Sequence, residues 1–198
     1  MEKNRITRAD VLTMSDFAKI RQAKRQELVA MKKDRRVSVG PDATFYFENW
    51  HTMWFQIHEM LFIEQGGVAQ VAGELDSYNP MIPNGCELVA TLMFEVDDPK
   101  RRSKLLGTLG GVEETVTLEF AGHVIAAKAE TDLDRTTAEG KASSVQFLHF
   151  PFTQMEVTAF CSLTNQVLIS FGHPNYRHMA VLRRAVQKSL SNDFDLTA

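Results

Sequence analysis

Residues 50–62 place apolar side chains on two sides of one helical wheel. Trp50, Met53, Trp54, Ile57, Met60 and Leu61 form one face; Phe55 and Phe62 lie on another, flanked by His51 and His58. A helix that is apolar on two sides has to be covered on both. Asn49 is the N-cap by type, and Gly66-Gly67 punctuates the end near Glu64. The segment is therefore read as the central core helix.

The surrounding pattern mixes periods. A helix is expected from an N-cap at Ser15, with Phe17, Ile20, Leu28 and Met31 on one side and Lys24 interrupting them. Val37-Ser38-Val39 and Thr44-Phe45-Tyr46-Phe47 read as extended, and Val68 to Leu75 as a short helix. Residues 87–96 make a long strand, and Asp98-Pro99 opens a helix to about Leu109. Val116, Leu118 and Phe120 alternate, Ala121-Gly122 turns, and Val124-Ile125-Ala126 returns as a hairpin. Residues 143–150 form another strand, Thr153 with Glu156 a capping box, Gln166 to Phe171 a strand, and His178 to Leu190 a last helix. Hairpins imply a mixed or antiparallel sheet. The fold class is α+β, with about five strands packed against helices and a helical N-terminal third.

Composition narrows the function classes. Two cysteines, Cys86 and Cys161, supply neither a disulfide framework nor a four-thiolate metal site. No apolar run reaches the roughly 18 residues of a membrane span, and the first residues do not read as a signal peptide. A cytoplasmic protein with no membrane partner is expected. The 198 residues are read as a single domain, with 1–36 a basic N-terminal helix, 37–75 a core helical region, 76–190 an α+β body and 191–198 a frayed tail. The net charge of −3 hides an asymmetry. Residues 1–36 hold eleven Lys and Arg against five Asp and Glu, a net +6; the rest hold eleven against twenty, a net −9. Interleaved acids and missing aromatics argue against nucleic acid. The basic helix is better read as docking on the acidic body, on a second copy, or on a partner.

Familiar catalytic motifs are absent: no glycine-rich phosphate loop, no Gly-x-Ser-x-Gly, no His-Glu-x-x-His. Acid and imidazole remain. Glu48-x-x-His51 has the spacing of bundle metal sites, and His51 and His58 stand two turns apart beside Glu59. His149 shares a strand face with Val145 and Phe147 and is read as pointing inward; His173 and His178 bracket a loop between a strand and a helix. Glu87, Thr91 and Glu95 share one strand face, where a buried glutamate would need a cation or a hydrogen-bond partner. Structural readings stand beside these: hydrogen-bonded histidines, a solvated strand face, and Cys161 as a small apolar filler.

Several long words are recognisable. Val39-Gly40-Pro41-Asp42-Ala43-Thr44-Phe45-Tyr46-Phe47-Glu48-Asn49, Tyr78-Asn79-Pro80, Ile82-Pro83-Asn84-Gly85, residues 87–95, His149-Phe150-Pro151 and His173-Pro174-x-Tyr176-x-His178-Met179 resemble the bacterial family called domain of unknown function 3501. The resemblance spans almost the whole chain. It implies a redox or peroxide-stress setting, with rubrerythrin-like or iron–sulfur oxidoreductase proteins as partners, because family members are encoded near such proteins. The family's words include Glu48, Glu59, Tyr78, Asn79, Glu87, Glu95, His149, His173, Tyr176 and His178, but not His51 or His58. Arg is often found in the family where Cys86 stands, and His where Gln146 stands.

Two expectations follow. One is a metal-binding, redox-associated protein in which Glu48, Glu59, His149, His173 and His178 ligate iron, manganese or zinc, with Tyr78, Asn79, Glu87, Glu95 and Tyr176 around them. The other is a non-catalytic accessory protein that binds an oxidoreductase or self-associates. A metal-free pocket lined by the Tyr78–Asn84 loop and Trp54 is a further reading.

Overall fold

The computed structural model describes residues 4–130 and 141–195. Its helices are α1 (Met14–Lys32), α2 (Trp50–Glu64), α3 (Gly67–Tyr78), α4 (Pro99–Leu106), α5 (Gln154–Cys161) and α6 (Arg184–Leu190). Its strands are β1 (Arg36–Val39), β2 (Ala43–Phe47), β3 (Glu87–Phe94), β4 (Val116–Phe120), β5 (His123–Ala126), β6 (Lys128–Ala129), β7 (Val145–Pro151), β8 (Leu168–Phe171) and β9 (Met179–Val181). The class is α+β, and every strand pairing is antiparallel.

The strands form two sheets. The first has five strands in the order β1-β2-β3-β7-β6, and the second has four in the order β5-β4-β8-β9. Phe45, Phe47, Leu88, Leu92, Leu148 and Phe150 from the first sheet share one buried cluster with Leu118, Phe120, Ile125, Ile169 and Phe171 from the second. The main core thus lies between sheets. On one side the sandwich is closed by the run from β5 to β6: Ala127 still bonds to Val116 of the second sheet, and Lys128 and Ala129 already pair with β7 of the first. On the other side stand the edge strands β1 and β9.

The helices α1, α2 and α3 cover the first sheet's outer face. Met53, Ile57 and Leu61 of α2 cluster with Val89, whose side chain points away from the inter-sheet core. On its other side Phe55 meets Phe17 and Leu28 of α1. The doubly apolar helix is covered on both sides as its pattern requires, though within an outer layer rather than at the centre of the core.

Local signals fix most boundaries. Asn49 caps α2 in a reciprocal box with Thr52, Thr153 and Glu156 box α5, and Asp98 precedes Pro99 at the start of α4. Thr13 rather than Ser15 caps α1, its hydroxyl accepting from the Asp16 amide. The segment expected as one helix from His178 divides into β9 and α6, because Met179–Val181 pairs with Leu168–Ser170. The region 37–75 contributes two strands before its helices. Of the tail expected to fray over 191–198, residues 196–198 lie outside the described residues, while Asp193 and Phe194 are buried, Asp193 against the guanidinium of Arg35. That same guanidinium donates to the carbonyls of Phe47 and Glu48 at 3.0 and 2.9 Å, joining the β2–α2 junction to the C-terminal turn.

Candidate functional site

The structure distributes the ionisable groups singled out above over several neighbourhoods, and of them it pairs Glu87 with His149. Glu59 leaves α2 toward α1, where the Arg21 guanidinium donates to both its oxygens at 2.6 and 2.7 Å. That bidentate contact holds the Glu59 carboxyl below the usual carboxylate range. Glu48, just after β2, is buried; its Oε1 accepts from the Thr91 hydroxyl at 2.7 Å, and its Oε2 has no hydrogen-bond partner among the described residues.

His149 does not point into the inter-sheet core. It occupies the opposite face of β7, between two carboxylates. Its Nδ1 lies 3.0 Å from Glu87 and its Nε2 3.0 Å from Glu130. Carboxylates only accept, so the arrangement suits a doubly protonated ring, and the contact with Glu87 is the largest cause raising its pKa. Such an imidazolium is a poor base and a poor metal ligand, since neither nitrogen keeps a free lone pair.

His173 is buried in the β8–β9 connection, where its Nδ1 accepts from the Asn175 amide at 3.2 Å. His178 packs edge-on against Tyr176, ring centroids 4.6 Å apart. The Tyr176 hydroxyl accepts from the Asp42 amide at 3.0 Å and donates to the Val39 carbonyl at 2.9 Å, so the turn at Gly40 is held from below. Asn79 clamps the backbone of Ile6 through both ends of its amide, at 2.7 and 3.0 Å. Tyr78 packs against the cluster containing Ile6, and Glu95 accepts from the Tyr46 hydroxyl at 2.8 Å. Glu48, Glu59, His149, His173 and His178 are therefore not brought together. Among the described residues no group of three or more His, Cys, Asp or Glu is arranged to hold a metal ion. Glu87 and Glu130 approach opposite edges of the His149 ring, so one ion could not touch all three.

Sequence reasoning missed three features. Glu130 completes the His149 cluster from 19 residues away. Arg35 is a buried tie between the β2–α2 junction and the C-terminal turn. Along α2, the side chains at 50, 54 and 58 hold the N-terminal segment by its backbone: Trp50 donates to the Arg5 carbonyl, Trp54 to the Asp10 carbonyl, and His58 accepts from the Leu12 amide. The four-residue spacing was the available signal, though nothing in it names a backbone as the target. Together with Phe17 against Phe55, these contacts seat α1 on its own chain.

What the interior does not consume is the gap between β1 and β9. Phe47 N donates to Arg35 O at 2.8 Å, and bonded pairs recur at every second residue. Val37 and Val39 therefore bond to β2, while Arg36 and Ser38 turn their N–H and C=O to the open edge. In the second sheet Phe171 N donates to His178 O and Leu182 N to Val167 O. By the same alternation Met179 and Val181 turn theirs outward. The gap is a cleft of about 570 Å³ lined by Lys33, Arg36, Val37, Ser38, Ala180, Val181, Arg183 and Val186.

A family model described as a protein of unknown function (DUF3501) matches residues 5–194. The chain belongs to that family. A crystal structure of a novel protein of unknown function from Burkholderia pseudomallei is 34% identical, with a TM-score of 0.89 over 96% of this chain and 99% of that one. The comparison with curated proteins finds no match. Val39–Asp42 rests on Tyr176 and His178, so two segments 134 or more residues apart are interlocked at the Gly40 turn. Among the described residues no helix is long and apolar enough to cross a membrane.

Proposed function

We propose that this protein is a non-catalytic accessory protein that binds a protein partner at the cleft between β1 and β9. One observation carries the reading: two sheet edges with outward-facing backbone groups flank a basic, partly apolar cleft. The side chains that chemistry would recruit are tied into the fold instead, Glu59 by Arg21 and His149 by Glu87 and Glu130. The family resemblance makes a rubrerythrin-like or iron–sulfur oxidoreductase the first partner to try. The test is stoichiometric co-purification with such a protein, comparing the wild-type chain with the surface variant Lys33→Glu/Arg36→Glu. Loss of the partner with the fold intact supports the reading; unchanged retention defeats it.

A second reading, a metal-binding and redox-associated protein, rests on the buried, unpartnered Oε2 of Glu48. Iron, manganese or zinc would take that oxygen as a donor. Metal analysis of natively produced protein decides, with Glu48→Gln as the comparison. Equal, sub-stoichiometric contents in both would remove it.

A further inference from the structure

The cleft has a direction. It narrows toward Gly40, where a Cβ would stand 2.6 Å from the His178 ring, and its lining begins beyond that contact, at Ser38 and Ala180. At the other end the Arg183 guanidinium reaches across to the Lys33 carbonyl at 2.6 Å and to Asp34 at 3.4 Å. Between these ends lie the outward N–H and C=O groups of Met179 and Val181, with side chains 69% and 51% exposed. An edge strand is usually blunted by a proline, a bulge or an inward charge. The three residues of β9, Met-Ala-Val, carry none of these; its protection is its brevity, which leaves two outward residues for an incoming strand.

Charge selects the occupant. The lining residues include three cations, Lys33, Arg36 and Arg183, and no carboxylate. Neither Lys33 nor Arg36 forms an ion pair among the described residues; Arg183 alone approaches an acid, Asp34. A second copy pairing edge to edge would bring the same cations against themselves. An acidic strand meets opposite charge and, among the described residues, unclaimed backbone at once.

We infer that an extended, acidic segment of a partner protein adds as a strand to the open edge of β9. This rests on the partner-binding reading above and names the chemistry of what binds. Met179 and Val181 each supply one donor and one acceptor to the incoming backbone. Alternate side chains of the added strand face the cleft, so carboxylates at every second position reach Lys33, Arg36 and Arg183.

The experiment uses the full chain and fluorescein-labelled octapeptides, read by fluorescence anisotropy. An alternating Glu-Val peptide is the probe. Alternating Lys-Val reverses the charge, and alternating Glu-Pro keeps it but removes every second backbone donor, those of the residues that would face Met179 and Val181. The Glu-Val peptide is expected to bind with an affinity that falls as salt rises, and Lys-Val not to bind. Glu-Pro and the Lys33→Glu/Arg36→Glu variant should each bind at least about tenfold more weakly. Val181→Pro blocks the outward donor without removing a bond to β8, so it should abolish binding while leaving the unfolding midpoint in place. Should Val181→Pro lower that midpoint, Val181→Asp, which adds a repelling carboxylate at the edge, is expected to lose binding in its place. No binding of Glu-Val, equal binding of Glu-Pro, or binding indifferent to both surface variants overturns the inference. So does a dimer in light scattering that Lys33→Glu/Arg36→Glu dissolves. Co-purification lost in that variant, with no Glu-Val binding, overturns the strand and leaves the cleft; loss of neither overturns both.

Discussion

His58 holds the backbone of Leu12 in place. Its Nδ1 lies 2.7 Å from the Trp54 carbonyl, which can only accept, so that nitrogen carries the proton and Nε2 is free to accept from Leu12 N–H at 3.0 Å. The ring is fully buried between Phe17 and Trp54. A second proton would point a donor at a donor inside an apolar cluster.

Acid should therefore weaken the seat of the N-terminal segment. Burial is the largest cause lowering the His58 pKa, outweighing the Trp54 carbonyl. In the unfolded chain the ring gains its proton below about 6.5, while the folded ring resists it. Stability contributed by this group is complete above that pH and falls as pH drops below it. Thermal unfolding between pH 5 and 8 is expected to show a steeper acid-side loss in the wild type than in His58→Gln. Parallel profiles would mean that His58 is not the responsible group.

His149 works with the opposite sign. Glu87 is the largest cause raising its pKa, opposed by burial and reinforced by Glu130. A raised value means that its contribution is in place below about 6.5 and is lost as pH climbs through the folded value. Proton NMR should place the His149 titration above that of a free imidazole and the His58 titration below it. Glu87→Gln is expected to move the first downward and leave the second unchanged. A His149 titration at the free value would refute the charged cluster.

The contrast between these two rings shows what a sequence makes legible. Helix α2, the box at Thr153 and Glu156, and the hairpin over 116–126 announce themselves through local spacing, because caps and alternation are short-range physics. The second sheet's edge does not. Met179-Ala180-Val181 owes its extended form to Leu168–Ser170, and the same residues continue a plausible helical pattern into α6. The candidate site was hidden for the same reason. Which residue neutralises Glu59 is decided 38 positions away at Arg21, and which carboxylates hold His149 at 62 and 19 positions. Residue type named these side chains; only tertiary structure decided which partners they meet.

Gly40 should tolerate no side chain. Its φ of +70° is strained for other residues, and a Cβ would also lie 2.8 Å from the Tyr176 hydroxyl. Gly122 offers the control: φ is +80°, with nothing within 4 Å of an added Cβ. Gly122→Ala is expected to cost about 1 kcal/mol, and Gly40→Ala clearly more, about 2–4 kcal/mol, because it displaces the tyrosine as well. Tyr176→Phe, which leaves the buried Asp42 amide unpaired, should cost about 1–3 kcal/mol. Denaturant midpoints measure all three, and equal losses at the two glycines would discard the interlock.

Arg35 is the strongest test of how the C-terminal turn is joined to the β2–α2 junction. Its guanidinium and the Asp193 carboxylate are both nearly inaccessible; the Nη2 that pairs with Asp193 also donates to the Glu48 carbonyl, and Nε and Nη1 reach the Phe47 and Ser189 carbonyls. A planar fork can meet acceptors in several directions, whereas an ammonium on a flexible stem cannot. Arg35→Lys is therefore expected to destabilise rather than conserve. Arg35→Met leaves the Asp193 carboxylate without its buried cation and should cost about 3–5 kcal/mol. Adding Asp193→Leu removes that stranded charge, so the double variant should recover part of the loss despite losing more polar contacts. Ending the chain after Leu190 removes Asp193 together with the buried ring of Phe194, and should destabilise at least as much as Arg35→Met. Urea unfolding of the four variants gives the ordering. If the double variant were no more stable than Arg35→Met, the carbonyl contacts of Arg35 would outweigh its ion pair.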